Sequence, residues 1–264
     1  MNKNEIKDHN IVFEWIPYNQ FNYITLKCLD KSQNLTSKSL NEVKEYSINR
    51  MDDILNVIIE GLKGIHQKQK IHHDFHTGNI LFLTKNLNIH NRKSLFISDM
   101  GLCDDVNNTS ELEIYGVMSY MASEVLRGKP YTQAADIYSF SMIMYFTAIG
   151  YQPFIDRAHD HSLALDICNG IRPKINEPEA PKCYIDLMKR CWDPNPVNRP
   201  NATEIYNRIK SFQDFYNSYK KGEPEAIEIK NQFKEVENYR KSHLSSLNKV
   251  HKLLLIHLNY VILI

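Results

Sequence analysis

The sequence predicts an α+β fold in which a short segment with strands precedes a larger, mainly helical part. Short apolar runs at residues 11–13 and 23–26 are typical of strands. Residues 54–65 place Ile54, Ile58, Leu62 and Ile65 at helical spacing. Residues 137–149 are apolar on nearly every side, which is typical of a helix buried in a core. A chain of 264 residues is long enough for one large domain or two small lobes.

The other elements follow from local patterns in chain order. Thr36 or Ser37 can cap a first helix, and the second helix is predicted to end near His66. Two short apolar pieces, residues 80–83 and 95–97, flank a polar stretch, and this arrangement predicts a hairpin with a long turn. From Met118 onward the pattern is helical, with peripheral helices predicted at residues 161–169, 184–192 and 202–216.

Composition and charge exclude several classes of protein. Hydrophobic residues make 42% and charged residues 24%, so a largely disordered chain is not expected. The 32 Lys and Arg nearly balance the 31 Asp and Glu, which gives no electrostatic reason to expect nucleic acid or an anionic membrane as a partner. Apolar stretches at residues 137–149 and 253–264 are shorter than the roughly 20 residues of a membrane span. Oligomeric state is not predicted.

The cysteines and the N-terminus favour a cytoplasmic, intracellular location. Five cysteines without a Cys-x-x-Cys pair are typical of free thiols in a reducing compartment. Residues 1–10 are polar and of mixed charge, unlike a signal or transit peptide.

The stretch from residue 71 to 82 is the most informative for chemistry. Asp74 and Asn79 stand five residues apart and lead directly into an apolar strand. Twenty residues beyond Asn79, after a second apolar strand, comes Asp99, followed by Met100 and Gly101. This spacing suits phosphoryl transfer, in which one carboxylate orients a hydroxyl while an amide oxygen and a second carboxylate hold Mg²⁺.

These residues resemble the eukaryotic protein kinase superfamily, in particular its tyrosine-kinase-like serine/threonine members. His72-His73-Asp74 is similar to the family's His-Arg-Asp, and residues 99–101 are similar to its Asp-Phe-Gly. The resemblance implies a protein-kinase-like fold with a reduced, strand-containing N-terminal lobe and an intact, mainly helical C-terminal lobe. The family's Arg pairs with a phosphate on the activation segment. His73 is shorter than Arg and, with an ordinary pKa near ~6.5, mostly neutral at physiological pH. We therefore expect a phosphate on the activation segment to order that segment only weakly.

Three downstream motifs extend the resemblance. Residues 121–124, Met-Ala-Ser-Glu, stand where the family has Ala-Pro-Glu, which would close an activation segment that begins at Asp99. Asp136 begins a segment similar to the buried central helix, whose Asp holds the catalytic-loop backbone in the family. Arg199 lies in the late segment whose Arg pairs with the Glu of Ala-Pro-Glu, so we expect a buried ion pair between Arg199 and Glu124.

The resemblance also assigns roles to site residues. An active enzyme would transfer the γ-phosphoryl group of ATP to Ser or Thr of a protein substrate or signalling partner, with Tyr as a further acceptor. Asp74 would orient the hydroxyl, and Asn79 and Asp99 would hold Mg²⁺. Lys27, held by Glu42, would contact the α- and β-phosphates.

Three segments are predicted from this correspondence. Residues 1–50 form a remnant N-terminal lobe, residues 51–215 the C-terminal lobe, and residues 216–264 a helical or poorly specified tail. None of the nine glycines precedes Gly61, so the glycine-rich loop that covers the phosphates in the family is missing. The few residues between the helix of Glu42 and the next helix also leave no room for the nucleotide-binding hinge. We therefore expect weak ATP binding and regard activity as uncertain.

Three alternatives stay open at this point. A catalytically impaired pseudokinase would keep the substrate-lobe surface as a binding scaffold. Small-molecule phosphotransferases of the aminoglycoside and choline group share a His-x-Asp-x-x-x-x-Asn loop but lack the downstream motifs. The alternation of His72, Asp74 and His76 would suit a zinc or two-metal hydrolase if these residues formed a strand, but that interpretation leaves Asn79 and Asp99 unexplained.

Overall fold

The structure is a computed structural model, and it describes residues 7–8, 11–12, 48–83, 95–106, 116–217, 223–242 and 260–261. The first two ranges form a short antiparallel pair, β1 (Lys7–Asp8) and β2 (Ile11–Val12). Strand β2 lies in one of the two runs that the sequence predicts as strands. The second run, residues 23–26, and the helix predicted after Thr36 or Ser37 lie outside the described residues.

Helix α1 (Ile48–Gln67) packs against a two-stranded hairpin. Its predicted apolar face is buried, with Ile58 and Leu62 fully inaccessible. Strands β4 (Ile80–Leu83) and β5 (Leu95–Ile97) pair antiparallel, which confirms the predicted hairpin. Gly61 permits α1 to approach β5 closely, because a Cβ on Gly61 would lie 2.8 Å from Ile97 Cδ1.

A separate two-stranded sheet contains the strand that follows α1. Strand β3 (Lys70–Ile71) follows α1 directly and pairs antiparallel with β6 (Asp104–Asp105). Three short 3₁₀ turns, Thr77–Asn79, Met100–Leu102 and Met118–Tyr120, shape the segments between these elements.

The C-terminal part is helical, as predicted. Its helices are α2 (Ser123–Leu126), α3 (Gln133–Ile149), α4 (His161–Cys168), α5 (Lys182–Cys191) and α6 (Ala202–Asn217). The predicted peripheral helices agree with α4, α5 and α6 to within two residues at each end. Helix α3 is the buried central helix, because nearly every residue from Ala135 to Thr147 is inaccessible to solvent.

The core lies between α3 and the helices around it. Helix α1 packs mainly against α6, and α3 packs against α5. The buried Tyr184 hydroxyl in α5 donates a 2.7 Å hydrogen bond to the Met144 carbonyl in α3. This bond satisfies a polar group that would be costly to bury alone.

The described part of the predicted tail contains a packed helix and a short strand. Helix α7 (Pro224–Ser242) buries Ile229, Phe233 and Val236 against the core. Arg240 at its end donates a 2.9 Å hydrogen bond to the Ala148 carbonyl of α3. Strand β7 (Tyr260–Val261) pairs parallel with β4. Among the described residues, no helix is both long and apolar enough to cross a membrane.

Candidate active site

The loop that carries Asp74 is fixed from behind by Asp136 in the first turn of α3. The Asp136 carboxylate accepts hydrogen bonds from the backbone N–H groups of His72 (2.8 Å) and His73 (3.2 Å). It also lies 2.9 Å from His66 Nε2 at the end of α1. The Asp136 residue is only 1% exposed, so these three contacts are screened little by water. Asp136 thus holds the loop backbone, as the resemblance implies.

Asp74 and Asn79 are in contact within this loop. Asn79 Nδ2 donates hydrogen bonds to the Asp74 backbone oxygen (2.8 Å) and to Asp74 Oδ2 (3.3 Å). The backbone oxygen of Asn79 in turn accepts hydrogen bonds from Ser98 N (2.8 Å) and Ser98 Oγ (3.1 Å). These bonds join the loop to Ser98, which lies between β5 and Asp99.

The register of the hairpin places Asp99 at the same end as Asn79. Ile80 pairs with Ile97, so the residue before β4 and the residues after β5 share one end of the pair. Asp99 is exposed and has a left-handed backbone (φ 56°), a conformation that costs a non-glycine residue free energy. Both Asn79 Nδ2 hydrogen bonds go to Asp74, which leaves the amide oxygen of Asn79 without a partner among the described residues. An amide oxygen and a carboxylate are ligands that suit Mg²⁺.

The Asp74 carboxylate has opposing influences on its pKa. Burial raises it, but contacts with His76 and Asn79 and the nearby His72 ring outweigh burial, so the pKa lies below the ordinary value. Asp74 is therefore ionised at neutral pH. An ionised carboxylate accepts hydrogen bonds and can orient a hydroxyl group.

His73, which stands where the family has Arg, has a left-handed backbone (φ 72°). Its ring stacks on Tyr131 with centroids 4.9 Å apart and planes 6° from parallel. Burial lowers the pKa of His73, although the carboxylates of Asp136 and Asp104 act in the opposite direction. The imidazole is therefore neutral at physiological pH, as the sequence predicts.

The three residues of the zinc alternative do not converge. They lie in a loop and not on a strand. The His72 side chain is fully buried, and its Nε2 lies 3.1 Å from the Ser98 carbonyl. The ring of His76 faces Asp74 instead. Across the described ranges, no group of three or more His, Cys, Asp or Glu side chains is placed to hold a metal.

The expected ion pair between Glu124 and Arg199 is confirmed. Arg199 Nη1 and Nη2 donate to the two carboxylate oxygens of Glu124 at 2.6 and 2.8 Å. The guanidinium also donates to the backbone oxygens of Asp193 (2.9 Å) and Ala134 (2.8 Å). The Arg199 side chain is fully buried and that of Glu124 is 13% exposed. This pair joins the end of the activation segment to the late helical part.

Several contributors to the site were missed from the sequence. The contact of His66 with Asp136 spans seventy residues, and nothing in the local pattern indicates it. Gly116 has a φ of 125°, and a Cβ there would lie 3.0 Å from Asp74 Oδ1. The residues around Gly116 form no motif that would indicate a contact with Asp74. Lys27 and Glu42, the predicted phosphate-contacting pair, lie outside the described residues.

In comparisons with known proteins, the chain is similar to protein kinases. The family model of the protein kinase domain matches residues 4–209. Human receptor-interacting serine/threonine-protein kinase 1 is 30% identical over 179 residues, covering 60% of this chain and 26% of that protein. The serine/threonine-protein kinase STY17 of Arabidopsis thaliana is 26% identical over 170 residues, covering 63% of this chain and 28% of that protein.

A further relative is a probable serine/threonine-protein kinase of Dictyostelium discoideum, 29% identical over 152 residues. That match covers 58% of this chain and 11% of the relative, so the chain spans about a tenth to a quarter of the length of these relatives. The family match extends over more than half of the chain and includes the Asp74 loop, the β4–β5 hairpin and the Glu124–Arg199 pair. The chain therefore belongs to the protein kinase domain family, within the eukaryotic protein kinase superfamily.

Proposed function

We propose that this domain transfers the γ-phosphoryl group of ATP to the hydroxyl of a Ser or Thr side chain in a protein, with Tyr as the alternative acceptor. The observation that carries the proposal is the fixed Asp74 carboxylate. Asp136 holds its loop from behind, and Asn79 holds its Oδ2 from the side. Phosphoryl transfer depends mostly on positioning and on electrostatic stabilisation, and this loop supplies the positioning.

The chain's own residues support a direct transfer. The ionised Asp74 accepts a hydrogen bond from the acceptor hydroxyl. This bond orients the hydroxyl oxygen towards the γ-phosphorus. As the bond between the hydroxyl oxygen and the γ-phosphorus forms, the bond from the γ-phosphorus to the bridging oxygen breaks. The hydroxyl proton passes to Asp74, and ADP leaves with the electron pair of the broken bond.

ATP and Mg²⁺ use is general in the family, and the residues present fit the metal. Asn79 through its amide oxygen and Asp99 through its carboxylate would hold Mg²⁺ at the end of the β4–β5 hairpin. When bound, the ion neutralises negative charge on the phosphates. Lys27 and Glu42 remain the proposed pair for the α- and β-phosphates.

The partner and the location belong to the same proposal. Membership of the family implies a protein substrate, and the near-zero net charge supports a protein partner over nucleic acid. A cytoplasmic location is supported by the need for ATP and by the cysteines of the described residues, which are free thiols: Cys103, Cys168, Cys183 and Cys191.

The test is a phosphotransfer assay with γ-labelled ATP, generic basic and acidic protein acceptors, and Mg²⁺. Wild type should label itself or an acceptor on Ser or Thr, and Asp74→Asn should lose at least about a hundred-fold in kcat with an unchanged melting temperature. Asp156→Asn, at an exposed position, is the matched control and should behave as wild type. A folded protein without turnover on any acceptor would refute the proposal and favour the pseudokinase alternative. Labelling of aminoglycosides or choline alone would also refute it.

A further inference from the structure

The histidine two residues after Asp74 makes two contacts that the roles above do not use. His76 Nδ1 accepts a 3.0 Å hydrogen bond from the backbone N–H of Gly78. On the other side of the ring, His76 Nε2 lies 3.4 Å from Asp74 Oδ2. Because Nδ1 accepts a hydrogen bond it carries no proton, and the ring N–H is therefore on Nε2, facing the carboxylate. Gly78 thus selects the tautomer that presents a donor to Asp74.

Gly78 also provides the space in which this ring lies. A Cβ on Gly78 would be 2.6 Å from His76 Cε1 and 2.8 Å from His76 Nδ1, which is closer than real Cβ contacts occur. Any other residue at this position would displace the imidazole. Gly78 therefore fixes the His76 ring in two ways. Its N–H group donates to Nδ1, and its lack of a side chain leaves room for the ring.

The two oxygens of Asp74 have different surroundings as a result. Oδ2 faces both Asn79 Nδ2 at 3.3 Å and His76 Nε2 at 3.4 Å. No described residue donates a hydrogen bond to Oδ1, and the missing side chain of Gly116 leaves open the space beside it, where a Cβ would lie 3.0 Å away. A carboxylate with one oxygen held on two sides presents the other oxygen in a fixed direction.

We propose that His76, with its ring fixed by Gly78, is a positioning residue for phosphoryl transfer that holds Asp74 Oδ2 so that Oδ1 faces the acceptor hydroxyl. The proposal rests on the proposed function of the site. The 3.4 Å separation is long, and contacts of this kind tighten when substrate completes the site. His76 acts through Asp74 and does not itself contact the reacting atoms.

Two substitutions separate the two contacts of the ring. His76→Asn places an amide oxygen where Nδ1 accepts from Gly78, but the side chain ends short of Asp74. His76→Gln reaches Asp74 with an amide N–H where Nε2 stands, but it does not accept from Gly78. We expect His76→Asn to keep the melting temperature and to lower kcat by roughly 10–100-fold with little change in KM for ATP. His76→Gln should keep kcat within a few-fold of wild type.

Matched controls separate positioning from a general effect of substitution. Gly78→Ala should lower kcat as His76→Asn does, because it displaces the ring. Gly64→Ala has no atom within 4 Å of the added Cβ and should leave kcat unchanged, as should His159→Gln at an exposed position. Wild-type kcat in His76→Asn would overturn the proposal. Equal losses of kcat and of melting temperature in His76→Asn and His76→Gln would also overturn it, because they would indicate a purely structural role.

A second measurement does not depend on turnover. The ¹³C resonance of the Asp74 carboxyl, recorded at one neutral pH, should move in His76→Asn and Gly78→Ala, and should stay near its wild-type position in His76→Gln and His159→Gln. An unmoved resonance in His76→Asn would overturn the contact itself. A wild type without turnover but with the expected resonance changes would refute the proposed function while supporting the contact, so the two failures are distinguishable.

Discussion

Removal of the Arg199 guanidinium should destabilise this domain strongly, whether or not it turns over substrate. The fully buried side chain donates two hydrogen bonds to Glu124 and one each to the Asp193 and Ala134 carbonyls. Arg199→Ala leaves a nearly buried carboxylate without its cation. Breaking a buried pair from one side costs about 3–5 kcal/mol. At ~2–4 °C per kcal/mol for a domain of this size, the melting temperature should fall by roughly 6–20 °C.

The assay is thermal and urea unfolding followed by circular dichroism, with an exposed ion pair as the control. Arg157 pairs with Asp166 in a pair whose side chains are 40% and 34% exposed. Arg157→Ala should cost under about 1 kcal/mol, because exposed pairs gain little over hydration. The melting temperature of Arg199→Lys should lie between those of Arg157→Ala and Arg199→Ala, because lysine keeps the charge but lacks the planar guanidinium that binds both carboxylate oxygens. Equal melting temperatures for Arg199→Ala and Arg157→Ala would refute the reasoning.

Three further predictions concern the site and the core. Gly116→Ala should lower kcat by roughly 10–100-fold, because its Cβ would lie 3.0 Å from Asp74 Oδ1; a kcat equal to that of wild type would contradict this. Burial raises the pKa of the Cys191 thiol to about 12 and that of Cys103 to about 11, so at pH 7.5 both should react with iodoacetamide far more slowly in the native than in the unfolded protein, with rates that rise as pH increases. The absence of glycine before Gly61 predicts weak binding of Mg·ATP, and a low-micromolar Kd from a thermal-shift titration would show this to be wrong.

The helices were predictable because their signals are local. Apolar residues at helical spacing give the positions of α4, α5 and α6 to within two residues, and the unbroken apolar run gives the central position of α3. Helix α7 shows the limit of this approach. Its buried residues Ile229, Phe233 and Val236 do follow helical spacing, but they are few among many charged residues. The sequence alone therefore predicts only a helical or poorly specified tail for this segment.

The candidate site, like the fold, was only partly predictable from the sequence. Ordered motifs indicated the roles of Asp136, Glu124 and Arg199, although their contacts span sixty residues or more. The contacts of His66 and His76 were not predictable, because they depend on ring orientation and on the space beside a glycine. A pattern of residue types identifies which groups are present, but the tautomer and direction of a side chain follow only from the packing around it.

The conformation of His73 explains how this site is ordered without the guanidinium that the family places there. A left-handed backbone at a non-glycine residue costs about 1–3 kcal/mol and persists only where its surroundings hold it. Here the Asp136 carboxylate binds the His73 N–H at 3.2 Å, and the ring stacks on Tyr131. A neutral ring engaged in stacking offers a phosphate on the activation segment neither charge nor a bidentate donor. The orientation of Asp74 is therefore set by α3 from behind and by Asn79 and His76 from the side, so we expect it to be largely independent of phosphorylation.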